Sequence, residues 1–141
     1  EIIPGVTAAF AGAASQGIEY TIPGVSQTLI LSRIPGKTPN PESIINLLNC
    51  KNSSLVFYLS VTLLKKLKEL AINDVGYSKD TPCWVIEKAS WPEEQVIKGT
   101  LTTIAEKVQE VNIRGNALIL LGDFLYQKET ESSHLYRVKQ K

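Results

Sequence analysis

Residues 55–59 read Leu-Val-Phe-Tyr-Leu, and Ser60 and a lysine-rich amphipathic stretch follow directly. An uninterrupted apolar run of this length is typical of a strand that is covered on both faces. After it, apolar residues recur at helical spacing, and lysines occupy the opposite face. This apolar stripe consists of Leu63, Leu64, Leu67, Leu70 and Ala71. The sequence therefore predicts a buried strand that leads into an amphipathic helix capped by Ser60.

The same alternation of strand and helix extends to both sides of this segment. Further strands are predicted at residues 28–32, 83–87, 95–98 and 117–121. Helices are predicted from an Asn40 N-cap to Leu48 and from Thr100 to Val111. We therefore expect one α/β domain over residues 1–141, with three layers and a mixed, largely parallel sheet flanked by helices. Residues 127–141 are predicted to form a polar tail.

Another helix is predicted near the N-terminus, ending at Gly17. Its apolar stripe consists of Val6, Phe10, Ala13 and Ala14. Its other face carries the small residues Thr7, Ala8, Ala11, Gly12 and Ser15, which let a backbone or a ligand approach closely. Residues 2–5 before it read like the end of a strand or a linker, so we expect the chain to be a piece of a larger protein.

The composition is that of an ordinary globular protein. Of the 141 residues, 43% are apolar and 21% are charged. Fifteen Lys and Arg against fourteen Asp and Glu leave a net charge of +1, which gives no electrostatic basis for binding nucleic acid or an anionic membrane. The apolar runs are too short to span a bilayer. We therefore expect neither nucleic acid nor a membrane as a partner.

Cysteine and histidine are too sparse for several kinds of site. Cys50 and Cys83 lie far apart without a C-x-x-C motif, which excludes a disulfide framework and a zinc ribbon and predicts two small buried side chains. His134 is the only histidine, and its polar flanks predict a surface position. We expect no metal. The phosphate-binding motifs G-x-x-x-x-G-K-S/T and G-x-G-x-x-G are also absent.

Four segments with small or backbone-exposing residues follow predicted strands or begin a predicted helix. They are residues 4–7, Ser60, Ala89-Ser90 and Gly122-Asp123. In open α/β sheets, ligands bind beyond the carboxyl ends of the strands. Such residues suit a ligand held by main-chain groups between apolar walls, and turn chemistry alone is the alternative for each. Trp91 either flanks a planar ligand at a strand end or plugs the core.

Four runs of sequence carry a resemblance to a known family. They are Ile-Pro-Gly-Val-Thr-Ala-Ala at 3–9, Ile-Pro-Gly-Val-Ser-Gln-Thr at 22–28, Val-Phe-Tyr-Leu at 56–59 and Lys-Ala-Ser-Trp-Pro-Glu-Glu at 88–94. Together they resemble segments of the S-adenosylmethionine-dependent tetrapyrrole methylases, with Leu59 in place of the family's methionine. The second and fourth runs are the specific ones. They are similar to the branch that methylates carbon 11 of the corrin macrocycle in cobalamin synthesis.

The resemblance implies a fold and an activity. The family has two α/β domains with the cofactor in the cleft between them, and this chain resembles the C-terminal domain without the N-terminal domain and its G-x-G-P-G-D loop. The implied chemistry is methyl transfer from S-adenosylmethionine to a ring carbon of a tetrapyrrole, for which the protein mainly positions the two partners. The resemblance implies a cytoplasmic enzyme that is a homodimer at full length. The fragment alone is expected to be inactive.

Individual residues receive roles from the same resemblance. It implies that Thr7, Ala8, Leu59 and Ala89 line the cofactor site, with Gly122 as a weaker candidate. The candidates for the substrate side come from their positions after predicted strands, and the first is Trp91, which either flanks the planar ring or plugs the core. Arg33 lies just past a predicted strand and either pairs with a tetrapyrrole carboxylate or is a surface charge.

Two other interpretations stay open at this point. One is a related methylase that acts on another ring carbon or on uroporphyrinogen III, against which the run at 88–94 argues. The other is a non-catalytic α/β domain used for association, because apolar surface next to an absent domain favours self-association.

Overall fold

The computed structural model of the chain describes residues 1–37 and 41–126. Its helices and strands, in chain order, are α1 (Ala8–Gln16), β1 (Thr28–Ser32), α2 (Ile44–Asn49), β2 (Ser53–Tyr58), α3 (Leu64–Glu69), β3 (Pro82–Glu87), β4 (Gln95–Thr100), α4 (Ile104–Glu110) and β5 (Ala117–Leu121). Short 3₁₀ turns precede α3 and follow β5, and a π-helical turn extends α3. Among the described helices, none is long and apolar enough to cross a bilayer. The predicted N-cap Asn40, the predicted surface residue His134 and the predicted tail 127–141 lie outside the described residues.

The five strands form one sheet in the order β1-β2-β5-β3-β4. Only β1 and β2 pair in parallel, whereas β2 with β5, β5 with β3, and β3 with β4 are antiparallel. The prediction of an α/β fold with a mixed sheet is confirmed, and the expectation of a largely parallel sheet is wrong. The helical crossovers do keep β1, β2 and β3 running in one direction. However, the β3–β4 hairpin reverses the chain, and β5 then inserts between β2 and β3 in the opposite direction.

Alternate side chains of the central strands point to opposite faces of the sheet and form two cores. On one face, which we call the three-helix face, α2, α3 and α4 pack against residues such as Leu55 and Ile119. On the other, which we call the α1 face, α1 and the turn after β5 pack against residues such as Val56 and Leu120. All four of these strand residues are fully buried. Helices therefore cover both faces, which confirms the predicted three-layer arrangement.

On the three-helix face, hydrophobic periodicity predicts burial correctly. Leu64, Leu67 and Ala71 are buried, and Leu63 and Leu70 are partly buried against the same core. These are the five positions of the predicted apolar stripe. Hydrophobic periodicity thus predicts both the helix and the face that it buries, because residues three and four apart lie on the same face of a helix.

Ser60 has a different role from the predicted helix cap. Its side chain makes no capping hydrogen bond. Instead, its hydroxyl donates to the Tyr58 carbonyl at 2.7 Å and accepts a hydrogen bond from the Ile34 N–H at 2.8 Å. Ser60 therefore fixes the chain after β2 to the chain after β1.

Helix α1 packs through a face that shares only Ala13 with the predicted apolar stripe. It ends at Gly17 in the left-handed conformation, as predicted (φ 62°). Val6 and Phe10, however, are 78% and 50% exposed. The buried residues of the helix are Ala9, Gly12 and Ala13. A Cβ at Gly12 would lie 3.1 Å from the Ile86 side chain, so the small residues allow α1 to lie close to β3. The predicted stripe is therefore correct at Ala13 and wrong at Val6, Phe10 and Ala14, because the close approach of α1 to β3 decides the packing.

Candidate functional site

The chain segments that follow β2 and β3 meet at one edge of the sheet, beside the start of β5. Because β2 and β3 run in the same direction, Tyr58 and Glu87 both end at this edge, where they pair with Leu118 and Ala117. The two departing segments border a cleft above the start of β5. This is the carboxyl end of two strands, where open α/β sheets bind their ligands.

The cleft is small, open and mostly apolar. Its volume is about 230 Å³, and its side chains include Ala8, Leu59, Ala89 and Trp91. Complete ligand pockets are larger, at roughly 300–1,000 Å³. Leu59 and Trp91 are 84% and 56% exposed. The cleft therefore has the form of one wall of a larger site.

Backbone strain is concentrated around this cleft. Five described non-glycine residues have a positive φ. Four of them either line the cleft or lie in the loop after β3 that borders it. These four are Leu59 (51°), Lys88 (50°), Ser90 (70°) and Asn116 (49°). L-residues seldom adopt this left-handed conformation, which costs roughly 1–3 kcal/mol at each position. Strain of this kind typically clusters at binding and active sites.

Tyr58 joins the cleft to the start of α1. Its hydroxyl contacts the Thr7 hydroxyl and accepts a hydrogen bond from the Ala9 N–H at 3.3 Å. Thr7 occupies the N-cap position but makes no capping bond, so Tyr58 satisfies one of the free N–H groups of the helix instead. The Tyr20 hydroxyl donates to the Ala9 carbonyl at 2.7 Å, and burial raises the pKa of Tyr20 to about 12. Two tyrosines thus fix the end of α1 that faces the cleft.

Glu94 joins the far end of α1 to the loop after β3. One carboxylate oxygen accepts hydrogen bonds from the Ser15 hydroxyl at 2.7 Å and the Gln16 side-chain amide at 3.2 Å. The other accepts from the Ser90 N–H at 2.7 Å. The bond from Ser15, followed by the bond from Ser90, lowers the pKa of Glu94. Of the two adjacent glutamates, Glu94 makes these contacts. Glu93 is exposed.

The structure brings several of the predicted contact residues together. Ala8, Leu59, Ala89 and Trp91 all line the cleft. Thr7 lies beside it, since its hydroxyl contacts that of Tyr58. Arg33 follows β1 and therefore lies at the same edge of the sheet, outside the set of residues that line the cleft.

Gly122 lies at the opposite edge of the sheet, because β5 runs antiparallel to both of its neighbours. Its φ is 137°, a conformation that favours glycine. A Cβ there would lie 3.2 Å from the Ser53 carbonyl oxygen and 3.2 Å from the Phe124 ring. A tight, crowded turn therefore accounts for this glycine, and it takes no part in the cleft.

Four residues around the cleft are not predicted from the sequence: Tyr58, Lys88, Glu94 and Asn116. Tyr58 belongs to an apolar strand run, which gives no sign that its hydroxyl is used. Asn116 precedes a strand, and asparagine tolerates the left-handed conformation, which is a weak signal. The adjacent carboxylates Glu93 and Glu94 give no sign in the sequence that one of them makes a specific contact. The half-buried position of Glu94 depends on which face of α1 packs against the sheet, and the predicted apolar stripe does not identify that face.

The remaining candidates for reactive chemistry lie away from the cleft. Cys83 is buried as predicted, and burial raises its pKa to about 12. Cys50 is exposed, so the prediction of burial is wrong for it. Within residues 1–37 and 41–126, no three His, Cys, Asp or Glu side chains are grouped as a metal site.

The sequence matches the family model of the Tetrapyrrole (Corrin/Porphyrin) Methylases over residues 1–105. A cobalt-precorrin-4 C(11)-methyltransferase of Methanocaldococcus jannaschii is 43% identical over 138 residues, which cover 96% of this chain and 52% of the relative. A precorrin-4 C(11)-methyltransferase of Pseudomonas aeruginosa is 42% identical over 140 residues, which cover 99% and 55%. The chain thus spans about half the length of the curated relatives it matches.

Solved structures show the same architecture. The X-ray structure of a cobalt precorrin-4 methyltransferase matches with a TM-score of 0.81 and 41% identity, over 86% of this chain and 51% of that one. A uroporphyrin-III C-methyltransferase from Thermus thermophilus, solved with S-adenosyl homocysteine, matches with a TM-score of 0.69 over 88% of this chain and 52% of that one. At 22% identity, the second likeness concerns the fold alone.

Proposed function

Because the chain belongs to the tetrapyrrole (corrin/porphyrin) methylases, we propose that it is part of an S-adenosylmethionine-dependent C-methyltransferase of cobalamin biosynthesis. The methyl acceptor is carbon 11 of precorrin-4 or of cobalt-precorrin-4. Relatives of both names, at 42% and 43% identity, support this acceptor and leave the presence of cobalt to experiment. A structure of the same fold that holds S-adenosyl homocysteine supports the cofactor.

One observation carries the proposal: Ala8, Leu59 and Ala89 meet in a single cleft at the carboxyl ends of β2 and β3. Two alanines leave room for a flat ring, and Leu59 supplies an apolar wall, which suits the adenosyl group. The left-handed conformations at Leu59 and Lys88 turn the main chain sharply where it borders the cleft. The residues present therefore fit one side of an adenosyl site.

When bound, S-adenosylmethionine would supply a methyl group from its sulfonium sulfur to an electron-rich ring carbon, the sulfur would leave as a neutral thioether, and the methylated ring would lose a proton to solvent. The task of this chain's residues is to position the two partners. Trp91, more than half exposed beside the cleft, flanks the tetrapyrrole. Arg33 at the same edge pairs with one of its carboxylates.

The cleft requires a second part of the site. Its volume is below that of a complete pocket, and Leu59 and Trp91 are largely uncovered. A domain equivalent to the half of the relatives outside the match would supply the opposite wall. On its own, the chain then binds the cofactor weakly and transfers no methyl group. The complete enzyme is cytoplasmic and a homodimer.

The experiment compares residues 1–141 alone with the same residues fused to the unmatched half of the M. jannaschii relative. We expect the fusion to bind S-adenosylhomocysteine more tightly and to add one methyl group to precorrin-4 or cobalt-precorrin-4, located at carbon 11 by NMR. Leu59→Asp in the fusion should weaken binding, and Val111→Asp, also on an exposed residue, is the control. Equal affinity with and without the fused half contradicts a two-part site. Methylation of another carbon, or of uroporphyrinogen III, contradicts the acceptor.

One observation favours a second candidate, a non-catalytic association domain. Ile2, Ile3, Val6 and Phe10 are all large apolar side chains with at least half of their surface exposed. Exposed apolar surface of this kind promotes association between proteins. Light scattering that finds a monomer over a wide concentration range would contradict this candidate.

A further inference from the structure

The loop of residues 88–94 holds three of the residues that line the cleft, Lys88, Ala89 and Trp91, in a strained backbone. Ala89 and Trp91 both face the cleft, and the residues beside them, Lys88 and Ser90, have φ values of 50° and 70°. Non-glycine residues keep such conformations only where the surroundings over-determine them. Some contact must therefore hold this loop in place.

Two main-chain hydrogen bonds within the loop are too few to explain its conformation. The Trp91 N–H donates to the Lys88 carbonyl at 2.9 Å, and the Glu94 N–H donates to the Trp91 carbonyl at 3.1 Å. Both bonds close turns and tie the loop only to itself. At its start, the Lys88 N–H donates to the Asn116 carbonyl at 2.8 Å, which fixes one end to the chain before β5.

The Glu94 carboxylate ties the middle of the loop to a neighbouring element. It accepts from the Ser90 N–H on one oxygen and from Ser15 and Gln16, at the end of α1, on the other. The start of α1 is bound to Tyr58 on the opposite side of the cleft. Helix α1 thus spans from one side of the cleft to the other, and Glu94 makes the second attachment.

We propose that Glu94 is a positioning residue, whose carboxylate couples α1 to the loop of residues 88–94 and so holds Ala89 and Trp91 in place for the ligand. The inference rests on the proposed function, because it assigns the cleft to the methyl donor. Glu94 itself does not line the cleft, so its effect on binding passes through the loop.

The test uses Glu94→Ala and, as a matched control, Glu93→Ala, which removes the neighbouring exposed carboxylate. Amide exchange reports on the loop, titration with S-adenosylhomocysteine followed by amide NMR shifts reports on the cleft, and urea unfolding reports on global stability. For Glu94→Ala, we expect Ser90 amide exchange to rise about tenfold and affinity to fall about threefold to tenfold, with β5 exchange unchanged. Glu94→Gln keeps one acceptor oxygen, so its Ser90 exchange rate and its affinity should lie between those of the unaltered chain and those of Glu94→Ala.

The outcomes separate this inference from the proposed function. If Ser90 exchanges as slowly in Glu94→Ala as in Glu93→Ala, Glu94 does not hold the loop and the inference is overturned. If exchange rises but affinity is unchanged, Glu94 stabilises the loop without positioning the cleft, which also overturns it. If the unaltered chain binds no S-adenosylhomocysteine even at millimolar concentration while Ser90 responds as expected, the failure lies with the proposed function of the chain alone.

Discussion

The two faces of the sheet relate sequence to packing in different ways. On the three-helix face, large side chains such as Leu67 are fully buried. On the α1 face, the helix packs through alanine and glycine and leaves Val6 and Phe10 exposed. The cleft lies beside α1, and four of the five described non-glycine residues with a positive φ surround it. The comparison teaches that the burial of large side chains determines packing on the first face, whereas the close approach of small residues on α1 to β3 determines it on the second.

The largest expected effect is on the three-helix face. Leu67→Ala removes a side chain that is 0% exposed, and we expect a loss of about 2–5 kcal/mol in the free energy of unfolding. Phe10→Ala on α1 removes a larger but half-exposed side chain and should cost less than half as much. Urea unfolding measures both variants. Equal losses would contradict the difference between the faces.

The packing of α1 is tested by enlarging its smallest contact residue. Gly12→Val places branched methyl groups where a Cβ alone would lie 3.1 Å from Ile86. We expect a loss of about 1–3 kcal/mol from overpacking, together with weaker binding of S-adenosylhomocysteine because α1 is displaced. Ala14→Val on the exposed side of the helix is the matched control. If the two valine variants have the same stability, α1 does not pack through its small face.

A pair of tyrosine variants separates the cleft from the fold. Tyr58→Phe removes the hydroxyl that contacts Thr7 and the Ala9 N–H. Tyr77→Phe removes a hydroxyl that donates to the Leu48 carbonyl at 2.8 Å, on the three-helix face. Each change should cost about 0.5–1.5 kcal/mol of stability. Only Tyr58→Phe should also weaken S-adenosylhomocysteine binding in a titration. Equal binding by both variants would show that Tyr58 does not serve the cleft.

The smallest expected effect depends on pH. Hydrogen bonds from Ser15 and then Ser90 lower the pKa of Glu94 below its ordinary value of 4.5. A carboxyl whose pKa is lower in the folded state stabilises the fold above the unfolded pKa, and this contribution is lost as the pH falls through the folded pKa. The stability difference between the unaltered chain and Glu94→Gln should therefore be present at neutral pH and shrink below pH 4.5. Solvent screening keeps it small.

Urea unfolding at a series of pH values measures this difference, with Glu93→Gln as the control. A difference between the unaltered chain and Glu94→Gln that does not change with pH would mean that the carboxylate charge plays no part in the contact between α1 and the loop.

The sequence predicts the elements of this fold well, because each is encoded locally. The run at 117–121 forms β5 with the predicted bounds, and the stripe after Ser60 forms the core side of α3 and its extension. Strand direction is predicted less well. A helix between two strands indicates only that those two strands run in the same direction, and it does not say which strands become neighbours. Nothing in residues 117–121 indicates that β5 inserts between two strands that run the other way.

The same distinction applies to the candidate site. Ala89 is predicted because it follows a predicted strand, whereas Leu59 ends a predicted strand and is predicted only by the family resemblance; the structure places both in the cleft. Gly122 met the same criterion and lies at the other edge, since the criterion depends on strand direction. Tyr58 and Glu94 act through hydrogen bonds to α1 across 49 and 79 residues of chain, and no local pattern predicts contacts of that range.

The most direct measurement maps S-adenosylhomocysteine onto the chain by amide NMR, at millimolar ligand because weak binding is expected. Binding at the cleft predicts shifts at Ala8, Leu59 and Ala89 that grow with ligand concentration, with Gly122 and the three-helix face unchanged. Shifts at Gly122 without any at Leu59 and Ala89 would contradict the assignment of the cleft to the methyl donor.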